Sequence, residues 1–308
     1  MQFSVYQQSH IGGRAVNQDR MGYLYTRESL LLVLADGMGG HVRGEIAATV
    51  ALQSMAADFR ALAKPYVRKP ERFLEESLDR AHDAIRRYAR EHDMPDSPRT
   101  TIVACLVQHN HAVWAHCGDS RLYWMRRGQI LGQTRDHSHI EYLISKGQAD
   151  ASERATHPDR NKLYNCLGAK TPPRIEVSRQ STLEPGDMLL LCSDGLWAVL
   201  PDTEIAHRLH TDGVVRAVPD LVSMATAIAG SHGDNTTALA IQWQGADEAT
   251  DASDPSVVST QLVPDGEVAT RIDPTATPGG DDAFGEDDIE KAIAEIRDAI
   301  EKSSQVLK

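Results

Sequence analysis

Residues 31–35, Leu-Leu-Val-Leu-Ala, form an unbroken apolar run that ends on Asp36, and Gly37, Met38, Gly39 and Gly40 follow. A short continuous apolar run closed by glycines predicts a strand buried on both faces. Two further runs have the same form: 188–192 leads into Ser193-Asp194-Gly195, and 112–117 into Gly118-Asp119-Ser120. Shorter alternating or apolar segments predict strands at 3–8, 21–26, 30–35, 102–108, 112–117, 121–125, 175–181, 187–192 and 236–243. The three from 102 to 125 read as a meander turning at Asn110 and at Arg127-Gly128.

The period changes to that of a helix from Arg43 onward. Ile46, Val50, Met55 and Phe59 make one apolar face, and Phe73, Leu78, Ala81, Ile85 and Tyr88 make a second. Further helices are predicted at 140–145, 201–209 and 214–228. The polar stretch 148–162 has no period and reads as a surface loop, a candidate flap. Strands, a helix pair, more strands and a second helix pair predict an α+β fold: a four-layer α-β-β-α sandwich with two central, mostly antiparallel sheets.

Composition divides the chain. Residues 244–308 hold 16 Asp and Glu against 5 Lys and Arg, leaving 28 acids and 27 bases in residues 1–243. The expected organisation is a catalytic domain at 1–243, a disordered acidic linker at 244–285 and an amphipathic helix at 286–308. Ile289, Ile293, Ile296 and Ile300 give that helix an apolar stripe, which needs a partner to cover it. The acidic balance argues against a nucleic-acid partner. No basic-then-apolar leader opens the sequence, and no apolar run has membrane-spanning length. Cys105, Cys117, Cys166 and Cys192 stand singly in apolar surroundings without CxxC spacing, as expected of reduced core residues in a cytoplasmic protein.

Asp19, Asp36, Asp119, Asp194 and Asp234 all fall at expected strand ends, with Arg14 just upstream of the first. A carboxylate in such a place is costly unless paired or metal-bound. Clustered carboxylates without His or Cys select hard octahedral ions such as Mg²⁺ or Mn²⁺. Two such ions sharing a water generate a nucleophile at neutral pH, and arginine is the natural fork for phosphate oxygens. The combination points to hydrolysis of a phosphate ester, with no covalent enzyme intermediate.

Six segments together carry a resemblance: RAVNQD (14–19), LADGMGGHVRGEIAA (34–48), HCGDSRLY (116–123), TRDHS (134–138), LLLCSDGLW (190–197) and GDNTT (233–237). In this order they resemble the protein phosphatase 2C family, metal-dependent serine/threonine phosphatases, in its bacterial form. The resemblance spans residues 1–243. It implies that Asp36 bridges two metals, that the Gly37 carbonyl binds one of them, and that Asp194 and Asp234 bind the other. It further implies that Asp19 contacts a metal or orients its waters, and that Asp119 serves a third, weaker metal. By the same resemblance Arg14 grips the substrate phosphate, the flap falls at 148–162, and a bacterial Ser/Thr kinase is opposed.

Two positions depart from the family pattern. Gln18 stands where the family often has Glu, and an amide is the weaker metal partner. Met38 stands where many eukaryotic members have a His proposed as general acid, so the leaving oxygen takes its proton from water. His41 reads as a turn residue, Arg43 as a surface charge, and Trp114, Trp124 and Trp197 as packing. His137 and His139 lack metal spacing and are expected to cap or line the short helix. In the acidic segment, Thr260 and Thr270 sit in similar settings resembling phosphothreonine sites read by forkhead-associated domains. Two rival readings stand beside the phosphatase: a catalytically weak or inactive phosphoprotein-binding module, and hydrolysis of phosphorylated anti-sigma antagonists.

Overall fold

The computed structural model describes residues 1–38, 43–155, 157–159 and 162–246. His41, the segments 247–285 and 286–308, Thr260 and Thr270 lie outside the described residues.

Strands β1 (Gln2–His10), β2 (Asp19–Tyr25) and β3 (Ser29–Met38) come first, then helices α1 (Gly44–Leu62) and α2 (Pro70–Glu91). Next are β4 (Arg99–Thr100), β5 (Ile102–Gln108), β6 (His111–Cys117), β7 (Arg121–Arg126) and β8 (Gln129–Gln133). Helix α3 (His139–Ser145) precedes β9 (Glu176–Val177), β10 (Ser181–Thr182) and β11 (Met188–Cys192). Helices α4 (Asp194–Trp197) and α5 (Asp202–Ala229) and strand β12 (Thr236–Gly245) complete the described chain.

One sheet runs β1-β12-β11-β7-β8; the other runs β10-β6-β5-β3-β2, with β4 on β3 and β9 on β6. Every named pairing is antiparallel. Leu30, Leu32 and Leu34 of β3 join Val103, Leu122, Leu189, Leu239 and Trp243 in the core between the sheets. The alternate residues Leu31, Val33 and Ala35 are equally buried, on the strand that α1 packs against. On the other side, Leu190, Cys192 and Ala240 meet Leu209, Val218, Leu221 and Val222 of α5. The α-β-β-α sandwich is therefore present, and β3 is buried on both faces as its apolar run requires.

The meander expected at 102–125 is corrected. β5 and β6 pair in one sheet, but β7 pairs with β11 in the other. The chain changes sheet at Gly118, whose φ of +118° belongs to glycine. A Cβ there would also lie 2.6 Å from that of Thr101. The strand expected at 175–181 is two short pieces, β9 and β10, both on β6. The polar strand β8 and the one-turn helix α4 were not foreseen, and the predicted loop at 148–162 contains a 3-10 turn, Ala151–Ala155. Helix α5 joins the two helices expected at 201–209 and 214–228, with non-helical backbone between them at Gly213.

By length and composition, Asp202–His232 is the one stretch among the described residues capable of crossing a membrane. Its apolar side is spent on the sheet, where α5 packs on β1 and β12. The four cysteines are free and buried, and burial pushes the Cys105, Cys117 and Cys192 thiols up.

Candidate active site

The five aspartates arrive at one end of the sandwich from both sheets. Asp19 and Asp36 face each other across the β2–β3 ladder. Asp119 follows the sheet change at Gly118, Asp194 opens α4 after β11, and Asp234 lies just before β12. The sequence therefore identified the carboxylates, and the sandwich brings them together. Charge coupling follows: Asp36 is pushed well above the usual carboxylate range by burial, then by Asp19, Asp194, Asp119 and Asp234. Asp194 is likewise raised by burial, then by Asp119 and Asp234.

The surrounding groups hold these acids in place. Thr101 donates its N–H to the Asp36 carbonyl at 2.9 Å, and its hydroxyl accepts the Asp36 N–H at 3.2 Å. The same hydroxyl pairs with Ser120 Oγ at 2.7 Å, so Thr101 links the loop of Asp36 to that of Asp119. Ser193 Oγ donates to Asp19 Oδ2 at 2.8 Å. Asn235 accepts the Gln18 N–H and donates to the carbonyls of Ile11 and Val16, tying the Arg14 loop to the Asp234 loop. Gly37 and Gly44 meet backbone to backbone: a Cβ on Gly37 would lie 2.5 Å from the Gly44 carbonyl carbon. The start of α1 thereby presses against the peptide of Gly37.

Arg14 stands at the rim, more than half exposed, with Nη2 2.6 Å from Asp234 Oδ2. Gln18 donates its side-chain amide to Glu45 Oε2 at 3.1 Å. Glu45 also takes Arg43 Nε at 3.3 Å, so Arg43 is a half-exposed partner of α1, as read.

The donor set fits a hard divalent metal. Asp19 Oδ1 is buried and has no hydrogen-bond partner among the described residues. Four buried or raised carboxyl groups with only oxygen donors are the environment that Mg²⁺ or Mn²⁺ relieves. Asp19 is pushed up to about 6, chiefly by burial, and Asp119 to about 7, by burial and then by Asp136.

These shifts set a pH dependence for the chelated protein. Each folded pKa lies above the ordinary 3.8, so the native state holds more protons than the unfolded chain. That stabilisation is complete below the unfolded value and is lost as pH rises through about 6 and 7. His137, lowered to about 4 chiefly by burial, acts in the opposite sense only up to its ordinary 6.5. Between pH 6.5 and 8 the melting temperature of chelated protein is therefore expected to fall. Saturating Mn²⁺ should flatten that slope, and its binding should release protons. Thermal scans and calorimetry in two buffers of different ionisation enthalpy measure both; a flat or rising melting temperature without metal contradicts the assignment.

Sequence reasoning missed the support behind Asp119. Arg121 makes a bidentate pair with Asp136, Nε–Oδ1 at 2.9 Å and Nη2–Oδ2 at 2.8 Å, in a buried setting. The guanidinium also reaches Tyr123 Oη at 3.0 Å and lies 3.7 Å over the Trp197 ring. Trp197 thus packs as read, but on a cation. Both residues of the pair lie inside matched segments, yet no spacing rule links positions 121 and 136.

His137 also differs from the expected helix-lining role. It comes together with His116 and Glu176, whose possible ligand atoms lie within 4.8 Å of one another. Its Nδ1 accepts from the Gly118 N–H at 3.1 Å and from Asn165 Nδ2 at 2.7 Å. Asn165 is fixed by Arg174, whose carbonyl accepts from the same amide nitrogen and whose N–H donates to Oδ1. The ring proton of neutral His137 is therefore on Nε2, 3.5 Å from Glu176 Oε1, which makes that nitrogen a poor metal ligand. The His137 N–H returns to the Gly118 carbonyl at 2.9 Å, and His116 Nε2 donates to the Arg135 carbonyl at 2.7 Å. These contacts clamp the 135–137 segment to the turn that carries Asp119. His139 starts α3 and lies 3.3 Å from Asp159, while Ser138 caps the helix through the Glu141 N–H.

The sequence profile of the family described as Protein phosphatase 2C matches residues 6–229. A serine/threonine phosphatase stp of Listeria monocytogenes is 28% identical over 241 residues, covering 77% of this chain and 94% of that protein. The crystal structure of the Mycobacterium tuberculosis serine/threonine phosphatase PstP/Ppp superposes with a TM-score of 0.68 at 28% identity, covering 78% of this chain and 99% of the other. The catalytic domain of PstP in complex with two manganese ions superposes at 0.64 and 27% identity, covering 78% and 97%.

Proposed function

The chain belongs to the protein phosphatase 2C family of metal-dependent serine/threonine phosphatases, and from that premise we propose how its own residues divide the work. The reading is carried by one observation: carboxyl groups from both sheets converge at one end of the sandwich and raise one another's proton affinity. Asp36 and the Gly37 carbonyl would hold one Mn²⁺ or Mg²⁺, with Asp36 shared by a second that Asp194 and Asp234 complete. Asp19 would contact a metal or orient its water, and Asp119 would serve a third, weaker ion. When bound, the metal pair supplies a water acidic enough to attack phosphorus at neutral pH. Arg14 at the rim presents its guanidinium to the phosphate oxygens of phosphoserine or phosphothreonine. Ser193 and Thr101 keep Asp19 and Asp36 in register, and the Gly37–Gly44 contact fixes the carbonyl of Gly37. Met38 has no proton to give, so the leaving oxygen is protonated by solvent.

The substrates are phosphorylated proteins, and the reading extends to reversal of a bacterial Ser/Thr kinase in the cytoplasm. Thr260 and Thr270 would be docking points for a forkhead-associated partner once phosphorylated. The test is hydrolysis of a phosphothreonine peptide and of p-nitrophenyl phosphate by the full chain with Mn²⁺, with Mg²⁺ and with chelator. Turnover that needs divalent metal is expected. Folded protein that hydrolyses neither substrate with any metal overturns the reading.

A further inference from the structure

At the other end of the sandwich, the last described residues run beside an open basic cleft. The Ala246 N–H donates to Asn110 Oδ1 at 3.0 Å, and the Trp243 indole N–H reaches the same oxygen at 3.1 Å. Asn110 belongs to the tight β5–β6 turn, together with His109. His109 lines a cleft of about 490 Å³, which also takes in the segment leading into α2. Along it lie Arg68, Lys69 and Arg72, with Glu71 as the acid among them. Arg72 pairs with Glu76 at 2.5 Å, and His109 lies 3.4 Å from Glu28. Arg68 and Lys69 are exposed, and no ion pair engages either among the described residues. No side chain caps the 22-residue helix α2, so its amino end adds positive potential to the same place.

The chain that leaves Ala246 is acidic at once. Residues 247–254 contain Asp247, Glu248, Asp251 and Asp254 and no base. Eight residues reach about 26 Å when extended, enough to cross a cleft of this size. We propose that residues 247–254 of the same chain occupy this cleft, their carboxylates set against Arg68, Lys69 and Arg72. Individual exposed ion pairs are weak, but the tether begins beside the cleft, and a short tether supplies a millimolar effective concentration. The contact is correspondingly sensitive to salt, because exposed charges are screened over about 8 Å at physiological ionic strength. The cleft adjoins the β5–β6 turn, at the opposite end of the strands from Asp36 and Asp119. The docked segment itself would therefore lie away from the carboxylate cluster and from the Arg14 rim.

The experiment is zero-length carbodiimide coupling of the full-length protein, with peptide mapping of the monomer band. Lys69 is expected to couple to Asp247, Glu248, Asp251 or Asp254 at least about fivefold more than the exposed Lys170 does, given a tether of this length. Coupling should fall to the Lys170 level in the Arg68→Glu/Arg72→Glu variant and in 0.5 M-scale salt, while circular dichroism and phosphatase turnover stay unchanged. Lys69 coupling that persists after charge reversal reflects tethering alone and overturns the proposal. So does coupling confined to a dimer band, which would assign the cleft to a second copy. A cleft that instead binds an added acidic phosphopeptide while the tail stays uncoupled assigns it to another protein and equally overturns it.

Discussion

Asp36→Asn abolishes phosphatase turnover while leaving the metal-free fold as stable as the parent, or more so. The two effects have one cause. Asp36 is half-buried beside Asp19, Asp194, Asp119 and Asp234, and its carboxyl is held well above the usual range by desolvation and then by those neighbours. Without a cation the charged form is unfavourable there, and an amide of the same shape removes the repulsion. With a cation the carboxylate is what the site needs, and an amide oxygen is a poor substitute. Groups that merely stand behind a metal ligand cost roughly 10–100-fold when removed. A shared ligand should cost more, at least about 10³-fold in kcat/KM by the same comparison. Thermal scans supply the second readout. Mn²⁺ at 100 times its Kd stabilises the parent by about 2.7 kcal/mol, and the variant should show little of that rise. A variant that keeps its metal-induced rise and its turnover would remove Asp36 from the centre of the site.

Arg121→Leu is the variant expected to damage the fold most. The guanidinium is held on two of its three nitrogens by Asp136, gives the third to Tyr123 Oη and lies over Trp197. Removing one member of a buried pair leaves the other charge without compensation, at a cost of about 3–5 kcal/mol. Asp136 is also the strongest charged neighbour acting on Asp119, so the orphaned carboxylate faces the site itself. Replacing both members, Arg121→Leu with Asp136→Leu, should recover much of the lost stability, because apolar residues of similar volume replace buried ion pairs at little cost. Urea unfolding of the parent, both single variants and the double variant measures the coupling. A single-variant loss under about 1 kcal/mol would mean that solvent reaches the pair and that it does not support the Asp119 turn.

What was legible in the sequence has a physical basis. The five apolar residues before Asp36 read as a core strand, and Gly37 after it supplies a close approach, to Gly44. The alternating helix faces of α1 and α2 fixed a layer over one sheet, since a helix with one apolar stripe has one side to bury. Three of the aspartates were readable for the same reason, since Asp36, Asp119 and Asp194 each close an apolar run, whereas Asp19 opens β2 and Asp234 precedes β12.

Other features depend on contacts between distant positions, which no local period encodes. Periodicity makes β6 and β7 alike, but only packing decides that the chain changes sheet at Gly118 between them. Strand β8 is half exposed and polar, so it forms because β7 offers an edge, not because its residues demand it. The grouping of His137 with His116 joins elements of the two sheets, Arg121 reaches Asp136 across the end of the β7–β8 pair, and Gly37 meets Gly44 where α1 packs on β3. The sequence by itself determined most of the strands, and it singled out the acids and the arginine proposed to carry the chemistry. Only the tertiary structure decided which of them share a charge environment, because proximity in a sandwich is set by how its layers stack and not by distance along the chain.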